Sequence, residues 1–228
     1  MSNHLYRAFG LTIQSYRSLP GLKTVTTTDN QHADVQVSPG SIAQPADAAG
    51  PRYVETGSRA VWLSGDVIVI RWQNVGSLEI RDGREIVVDI LDDIDDRLVG
   101  VLVRGIGLGM ILHQRGYLTL HASAVATEAG GIAFAGGKGK GKSTTASAFC
   151  ARGSSFIADD IVALDVTDAG EGYSILPGGP SSKLSRASMR ALDIDNTTVS
   201  QGYEGRSNWC WSASHNFQSR AIPLSRIY

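Results

Sequence analysis

The chain has 228 residues, a formal net charge of −1 and a hydrophobic fraction of 42%. This length fits one substantial domain, or one domain with a smaller appendage, and the composition is that of an ordinary globular protein. The near-neutral charge gives no electrostatic reason to expect nucleic acid or an anionic membrane as a partner. We find no apolar run long enough to span a bilayer and no secretory signal, and Cys150 and Cys210 lack metal-ligand spacing. These features predict a cytoplasmic protein.

The first 95 residues read as a β-rich region in which no residue pattern indicates catalytic chemistry. Alternating or apolar runs predict five strands, at 11–14, 34–37, 67–72, 77–80 and 85–88. The last two strands flank Asp82-Gly83, which is a strong β-hairpin signal. Small residues between Pro39 and Pro51 predict a loop.

An acidic run between residues 89 and 96 follows these strands. It lacks the Gly turn and the terminal Glu of a calcium loop, so we interpret its carboxylates as capping the next helix rather than as a cation site. That helix is predicted from Leu98 to about Gln114. Its four glycines cost about 1 kcal/mol each relative to Ala and therefore suggest close packing against a sheet.

From His121 to the C-terminus the pattern is α/β. Further strands are predicted at 117–120, 122–126, 131–135, 155–164 and 173–176. Two helices are predicted, at 144–152 and 184–192. We therefore expect an α/β core over 96–228, preceded by a smaller β-rich region over 1–95, so that the whole chain is α+β.

The most informative segment joins the strand at 131–135 to the helix at 144–152. It matches the phosphate-binding pattern G-x-x-x-x-G-K-[ST] at every fixed position, and it consists of Gly136, Gly137, Lys138, Gly139, Lys140, Gly141, Lys142, Ser143 and Thr144. Glycines allow a tight backbone concavity whose N–H groups face phosphate oxygens, and the helix N-terminus adds positive potential. A flexible Gly/Lys linker is the alternative, but a linker rarely lies between an apolar strand and a helical run.

Two side chains of this loop are expected to contact the phosphates and their cation directly. Lys142 would reach the β- and γ-phosphates, and the Ser143 hydroxyl would help to hold Mg²⁺. Lys138 and Lys140 stand where small residues are usual, and their charge should strengthen binding of triphosphate or pyrophosphate.

Two aspartates and a histidine are the other candidate site residues. Asp159 and Asp160 interrupt an apolar strand, where carboxylates are costly to bury without positive partners. Successive strand residues face opposite sides of a sheet, so we expect the two carboxylates to have different roles. A solvated Asp159 beside a turn at Asp160 is the alternative. His121 precedes the strand that leads to the loop-bearing strand, and adjacency of these strands would bring it near the aspartates.

In this order, the His121 segment, the phosphate loop and the Asp159-Asp160 segment resemble the HPr kinase/phosphorylase-related family. The resemblance rests on Leu120-His121-Ala122-Ser123-Ala124-Val125, on the loop, and on Ile157-Ala158-Asp159-Asp160-Ile161-Val162. It covers roughly residues 110 to 165, with weaker likeness elsewhere. It implies a P-loop-containing core of the HPr kinase and phosphoenolpyruvate carboxykinase type. The N-terminal Tyr6–Leu11 segment is similar to lasso peptide kinases, which phosphorylate a precursor peptide at its C-terminal serine.

The resemblance implies a role for each matched residue. Lys142 and Ser143 would bind phosphate and Mg²⁺, with ATP as the phosphoryl donor. Asp159 would be the base that accepts the serine proton, Asp160 would support the metal, and His121 would act beside the base. The two aspartate roles could be exchanged. Lys183 and Arg186 lie where relatives often carry basic residues near the phosphates.

Two departures from the family pattern leave alternatives open. The Gly-rich segment that HPr kinases use in the phosphorylase reaction has no clear counterpart after Leu164, which disfavours a bifunctional enzyme. The chain also stops in a predicted strand where relatives commonly continue, so we expect either a short member or a core without C-terminal elements. We therefore predict a serine kinase acting on a peptide or protein. A nucleotide-binding regulatory module and a small-molecule kinase are the alternatives, and a homo-oligomer is an open option.

Overall fold

The computed structural model shows a mixed α/β protein with two mixed β-sheets and few helices. It describes residues 4–26, 32–43, 52–55, 59–166, 172–194, 199–201, 208–212 and 216–228, and at 52–55, 199–201 and 208–212 it describes the backbone alone. The chain forms two compact units. The first contains most of the residues up to Gly116, and the second contains 117–228 together with Arg7–Gly10 and Gly21–Lys23.

The first unit is built on a nine-stranded sheet in the order β3-β1-β2-β4-β9-β8-β7-β6-β5. Strand β4 is parallel to β2 and β9, and β5 to β9 form an antiparallel meander. The five strands predicted here are confirmed, whereas residues 44–51 of the predicted loop lie outside the described residues. The strands are β1 (His4–Ala8), β2 (Leu11–Ser15), β3 (Lys23–Thr24), β4 (Val35–Pro39), β5 (Arg52–Glu55), β6 (Arg59–Ser64), β7 (Val67–Trp72), β8 (Gly76–Arg81) and β9 (Glu85–Ile90).

The predicted helix after these strands is confirmed as α1 (Asp96–Leu102) and α2 (Leu108–Gln114), joined by a π-helical turn over Val103–Gly107. The side chain of Asp95 accepts a hydrogen bond from the Arg97 N–H at 2.7 Å, so the acidic run caps this helix as expected. A Cβ at Gly107 would lie 3.3 Å from Ile86 Cδ1, which shows the close packing on the sheet that the glycines suggested. The segment belongs to the first unit.

Gly76 is the position of this unit where we expect a small substitution to be most damaging. Its φ is +133°, and a Cβ there would collide with the Asp89 carbonyl oxygen and with Ile90 Cα at 2.6 Å. Since backbone atoms cannot move aside, Gly76→Ala should cost more than about 3 kcal/mol, measured as the free energy of unfolding in urea. Gly65→Ala is the matched control, because Gly65 has φ +56° with nothing within 4 Å of its Cβ position. An equal cost at both positions would contradict the collision.

The second unit contains a seven-stranded sheet in the order β10-β14-β15-β19-β12-β11-β13 and a three-stranded sheet in the order β16-β18-β17. Buried small and branched residues of the larger sheet, among them Ala122, Ala124, Ala133, Ile157 and Val162, form its core. The elements are β10 (Leu118–Leu120), β11 (Ala122–Thr127), β12 (Gly130–Ala135), α3 (Lys142–Cys150), β13 (Ser155–Asp159), β14 (Val162–Asp165), β15 (Ser174–Leu176), β16 (Ser181–Ser185), α4 (Arg186–Ala191), β17 (Val199–Gln201), β18 (Asn208–Ser212) and β19 (Ile222–Ile227).

The arrangement of β11, β12 and β13 positions the candidate site. Strand β11 lies between β12 and β13 and is antiparallel to both, so β12 and β13 run in the same direction. The loop and α3 connect these two strands, and α3 packs on all three. Crossover connections of this kind place the loop and the end of the second strand at the same edge of the sheet.

Two sequence-based boundaries in this unit are wrong. The strand predicted over 155–164 breaks at Asp160, which has φ +75°, and β13 and β14 on either side of it pair with different strands. Aspartate tolerates this left-handed conformation better than most residues, so the chain can turn there. The helix predicted from Leu184 begins instead at Arg186, because Ser185 caps it by accepting from the Ser188 N–H, and residues 181–185 form β16.

Burial at the end of α3 raises the pKa of the Cys150 thiol from 9.0 to about 11. The thiolate is the reactive form, so near pH 8 iodoacetamide should alkylate Cys150 about a hundredfold more slowly in the folded protein than in denaturant. The rate should rise about tenfold per pH unit until the pH approaches that pKa. Peptide-resolved mass spectrometry separates this reaction from that of Cys210, and equal rates in folded and denatured protein would contradict the prediction.

Within the described residues, no helix combines the length and the apolar character needed to cross a membrane.

Candidate active site

The loop between β12 and α3 has the backbone that the glycine pattern predicts. Gly139 and Gly141 have φ +81° and +87°, a conformation that costs other L-residues energy, and a Cβ at either would meet nothing within 4 Å. The requirement for glycine there is therefore conformational rather than steric. The Lys140 N–H donates to the Gly137 carbonyl at 3.3 Å and closes a turn inside the loop. Residues 136–140 are exposed, so this turn is open to a ligand.

Lys142 is buried at the start of α3, with 9% of its surface exposed. Its ammonium donates to the Gly137 carbonyl at 3.0 Å and lies 3.1 Å from His121 Nε2. An ammonium can only donate, so Nε2 is the acceptor and the ring proton is assigned to Nδ1. That nitrogen lies 3.0 Å from the Asp160 carbonyl oxygen. The loop lysine is thus held by its own loop on one side and by the histidine on the other.

Asp159 ends β13 on the face of the sheet that α3 covers. It pairs in register with Ser123 of β11, and residues directly opposite in neighbouring strands share a face. Its Oδ1 accepts from Ser123 Oγ at 2.5 Å and from Ser143 Oγ at 2.8 Å. Its Oδ2 accepts from Ser182 Oγ at 2.8 Å and from the Lys183 N–H at 3.1 Å. The loop serine and this carboxylate are therefore in direct contact.

Asp160 lies in a different environment from its neighbour. Its Oδ2 accepts from Lys183 Nζ at 2.9 Å, and its Oδ1 lies 3.4 Å from His121 Nδ1. The side chain is 41% exposed, so it faces solvent while contacting two basic groups. The two aspartates therefore differ in their surroundings, and the turn at Asp160 causes the difference rather than strand alternation.

The predicted adjacency of the His121 strand and the loop-bearing strand is confirmed, because β11 pairs with β12 along its length. The same strand also pairs with β13, which carries Asp159. His121 therefore lies between Lys142 and Asp160, with 53% of its side chain exposed. Its contacts suit it to orient either of these groups.

The remaining predicted residues surround this centre at different depths. Thr144 Oγ1 lies 2.8 Å from Ser188 Oγ, which joins α3 to α4. Lys138 and Lys140 are exposed in the loop, and Arg186 is exposed at the start of α4. Lys183 contacts both aspartates, Asp159 through its backbone N–H and Asp160 through Nζ.

A divalent cation would find oxygen ligands at the Ser143–Asp159 contact. Mg²⁺ in nucleotide sites is bound by one or two carboxylates together with phosphate oxygens and water, so a hydroxyl and a carboxylate 2.8 Å apart are a suitable protein contribution. Across the described residues, no group of three or more His, Cys, Asp or Glu side chains could hold a metal ion on its own.

Two residues that contact Asp159 were given no role from the sequence. They are Ser123 and Ser182. Ser123 lies two residues after His121, and residues two apart on a strand share a face, so it could have been found from that spacing. Ser182 had no usable signal, because β16 was not predicted as a strand. Both side chains are buried, with 0% and 1% of their surface exposed.

Comparisons of the chain with protein-family models, with curated proteins and with solved structures find no match.

Proposed function

We propose that the chain is an ATP- and Mg²⁺-dependent kinase that phosphorylates a serine hydroxyl on a peptide or protein. The C-terminal serine of a lasso precursor peptide is an acceptor of this kind. The observation that carries the proposal is the contact of Ser143 Oγ with Asp159 Oδ1, since it joins the phosphate loop to a carboxylate at the edge of the sheet. The proposal includes a P-loop core of the HPr kinase and phosphoenolpyruvate carboxykinase type in the second unit. We also propose a cytoplasmic location for the protein, which is consistent with a reaction that uses ATP.

The loop and its lysine would bind and orient the triphosphate. Lys142 is buried and directed towards the carbonyl of Gly137, so its ammonium is pre-positioned at the centre of the loop. A phosphate oxygen would replace His121 Nε2 as its acceptor, which exchanges a neutral partner for a charged one and strengthens the hydrogen bond. Lys183, Lys138 and Lys140 supply further positive charge around the same loop. Positioning and charge neutralisation are the main contributions of a protein to phosphoryl transfer.

Ser143 and Asp159 would hold the magnesium ion, which neutralises charge on the phosphates. The four groups that donate to the Asp159 carboxylate are three hydroxyls and one backbone amide, all uncharged. Its negative charge is therefore not balanced by these partners and remains available to a cation. Asp160 contrasts with it, because Lys183 already provides a positive partner there.

The acceptor hydroxyl would meet Asp160. This carboxylate is 41% exposed and contacts His121. Asp159 has about four acceptor positions, which its four donors use, and the position that Ser143 would release on turning to the cation would serve that cation. Asp160 would take the serine proton as the serine oxygen bonds to the γ-phosphorus and the bond to the bridging oxygen of ADP breaks. We therefore favour the exchanged assignment of the two aspartates, with Asp159 on the metal side and Asp160 as the base.

The proposal is tested by mapping phosphorylation sites in a peptide library. Serine-containing peptides, including a set that ends in serine, are incubated with the protein, ATP and Mg²⁺, and the products are sequenced by mass spectrometry. A gain of one phosphate on serine that disappears with EDTA is the expected result. A phosphorylated metabolite without phosphopeptides would indicate a small-molecule kinase. ATP binding without any phosphorylated product would indicate a regulatory module.

A further inference from the structure

The carboxylate of Asp159 is held by groups from three separate elements. Ser123 on β11 and Ser143 at the start of α3 both donate to Oδ1, at 2.5 Å and 2.8 Å. On the other oxygen, Ser182 of β16 donates its hydroxyl and Lys183 its N–H, at 2.8 Å and 3.1 Å. The elements that carry these donors lie far apart in the sequence, and the fold brings them together around one carboxylate. We call these four donor groups the seat of Asp159.

Only part of this seat has a second task in the proposed reaction. Ser143 is the loop serine and would turn towards the metal when nucleotide binds. One acceptor position on Oδ1 would then become free, while Ser123 would still donate to Oδ1. Ser182 and the Lys183 N–H would still donate to Oδ2. Without the Ser123 and Ser182 hydroxyls, the Lys183 N–H would be the one donor left of these four to hold the carboxylate when Ser143 leaves it.

We infer that Ser123 and Ser182 are positioning residues, whose hydroxyls hold the Asp159 carboxylate in place for a divalent cation bound with nucleotide. The inference rests on the proposed function. Removing a group that orients a metal-binding carboxylate typically lowers the affinity for the metal by about 10- to 100-fold. Burial supports the role, because hydroxyls that are 0% and 1% exposed do not exchange their partner for bulk water.

A purely structural role is the competing explanation, since buried hydrogen bonds also stabilise a fold. The two explanations differ in one observable, the ratio of nucleotide affinity with Mg²⁺ to nucleotide affinity in EDTA. Loss of general stability would weaken binding in both conditions equally. Loss of carboxylate positioning would weaken binding only when the cation is present.

Ser147→Ala provides a matched control within the same unit. Ser147 lies on α3 with 1% of its surface exposed, and within the described part of the chain its hydroxyl has no hydrogen-bond partner. The substitution is therefore the same change at equal burial without loss of a hydrogen bond.

The experiment titrates a non-hydrolysable ATP analogue into wild-type protein, Ser123→Ala, Ser182→Ala and Ser147→Ala by calorimetry, with Mg²⁺ and with EDTA. Electron paramagnetic resonance of Mn²⁺ with the same analogue measures cation binding directly. Ser123→Ala and Ser182→Ala should each lower the Mg²⁺-supported affinity by roughly 10- to 100-fold and leave the affinity in EDTA within about twofold. Ser147→Ala should match the wild-type protein, and Ser182→Thr, which keeps a hydroxyl, should recover most of the lost affinity.

The outcomes separate this inference from the proposed function. If the wild-type protein binds the analogue no better with Mg²⁺ than with EDTA, the proposed function fails. If the wild-type protein binds the analogue more tightly with Mg²⁺, and Ser123→Ala and Ser182→Ala keep the wild-type ratio of affinity with Mg²⁺ to affinity in EDTA, the positioning role is overturned while the proposed function stands. An equal loss in both conditions also overturns it in favour of a structural role. The variants lie on different strands, so either one tests the inference if the other does not fold.

Discussion

Lys142→Ala should abolish phosphoryl transfer, with a loss of at least roughly 10²- to 10³-fold in kcat/KM for ATP. The ammonium is buried and held at 3.0 Å from the Gly137 carbonyl, so no neighbouring cation can readily take its place in the loop. Its removal also leaves His121 Nε2 without the donor that now lies 3.1 Å away. Steady-state kinetics with a phosphorylated peptide as the measured product would detect the loss, after a melting curve has shown that the variant folds.

Lys140→Ala is the matched control for this prediction. Lys140 belongs to the same loop but is exposed, so its charge acts through water and contributes less. We expect less than about a tenfold rise in KM for ATP, with kcat nearly unchanged. A comparable loss in both lysine variants would mean that general positive charge, rather than a specific contact of Lys142, supports the reaction.

Asp159→Asn should reduce transfer by roughly 10²- to 10³-fold and raise the Mg²⁺ concentration needed for half-maximal activity roughly 10- to 100-fold. The substitution keeps the shape of the side chain but removes the charge that its four uncharged donors leave unbalanced. It also places an amide that donates hydrogen bonds among groups that donate to the carboxylate. The Mg²⁺ dependence of the initial rate measures this effect.

Asp160→Asn should lower kcat to a similar extent and leave the Mg²⁺ requirement unchanged, because Asp160 contacts His121 and Lys183 rather than the loop serine. The pair of variants therefore distinguishes the metal-side carboxylate from the base. If Asp160→Asn instead changed the Mg²⁺ requirement and Asp159→Asn did not, the roles would be those that the family resemblance implies. Normal turnover of either variant with folding intact would remove that residue from the mechanism.

The backbone of the glycine-rich loop between β12 and α3 could be predicted because its information is local. Glycines that permit positive φ, a lysine and a serine stand within one continuous segment, and the flanking strand and helix are strong patterns. The prediction that His121 lies near the aspartates needed one further step, the pairing of β11 with β12, which follows from the tendency of consecutive strands to be neighbours. The contact of His121 with Lys142 was not predicted.

Other parts of the site could not be predicted, because the periodicity of hydrophobic residues carries no information about them. The turn at Asp160 was the alternative rather than the prediction, because it lies inside an apolar run and a single residue with φ +75° does not change a hydrophobic pattern. The seat of Asp159 includes Ser182 on β16, whose partner in the sheet is β18 at Asn208–Ser212. A strand stabilised by a partner so much later in the chain has a weak local signal, so Ser182 could not be found without the fold.

The fate of the γ-phosphate of ATP tests the kinase proposal most directly. ATP labelled in that position is incubated with wild-type protein and Mg²⁺, with serine peptides and with the same peptides carrying alanine in place of serine. We expect label to appear on the serine peptides alone, and to be absent when Lys142→Ala or Asp160→Asn replaces the wild-type protein. Label that remained in bound ATP, or that appeared equally with the alanine peptides, would contradict transfer to a serine hydroxyl.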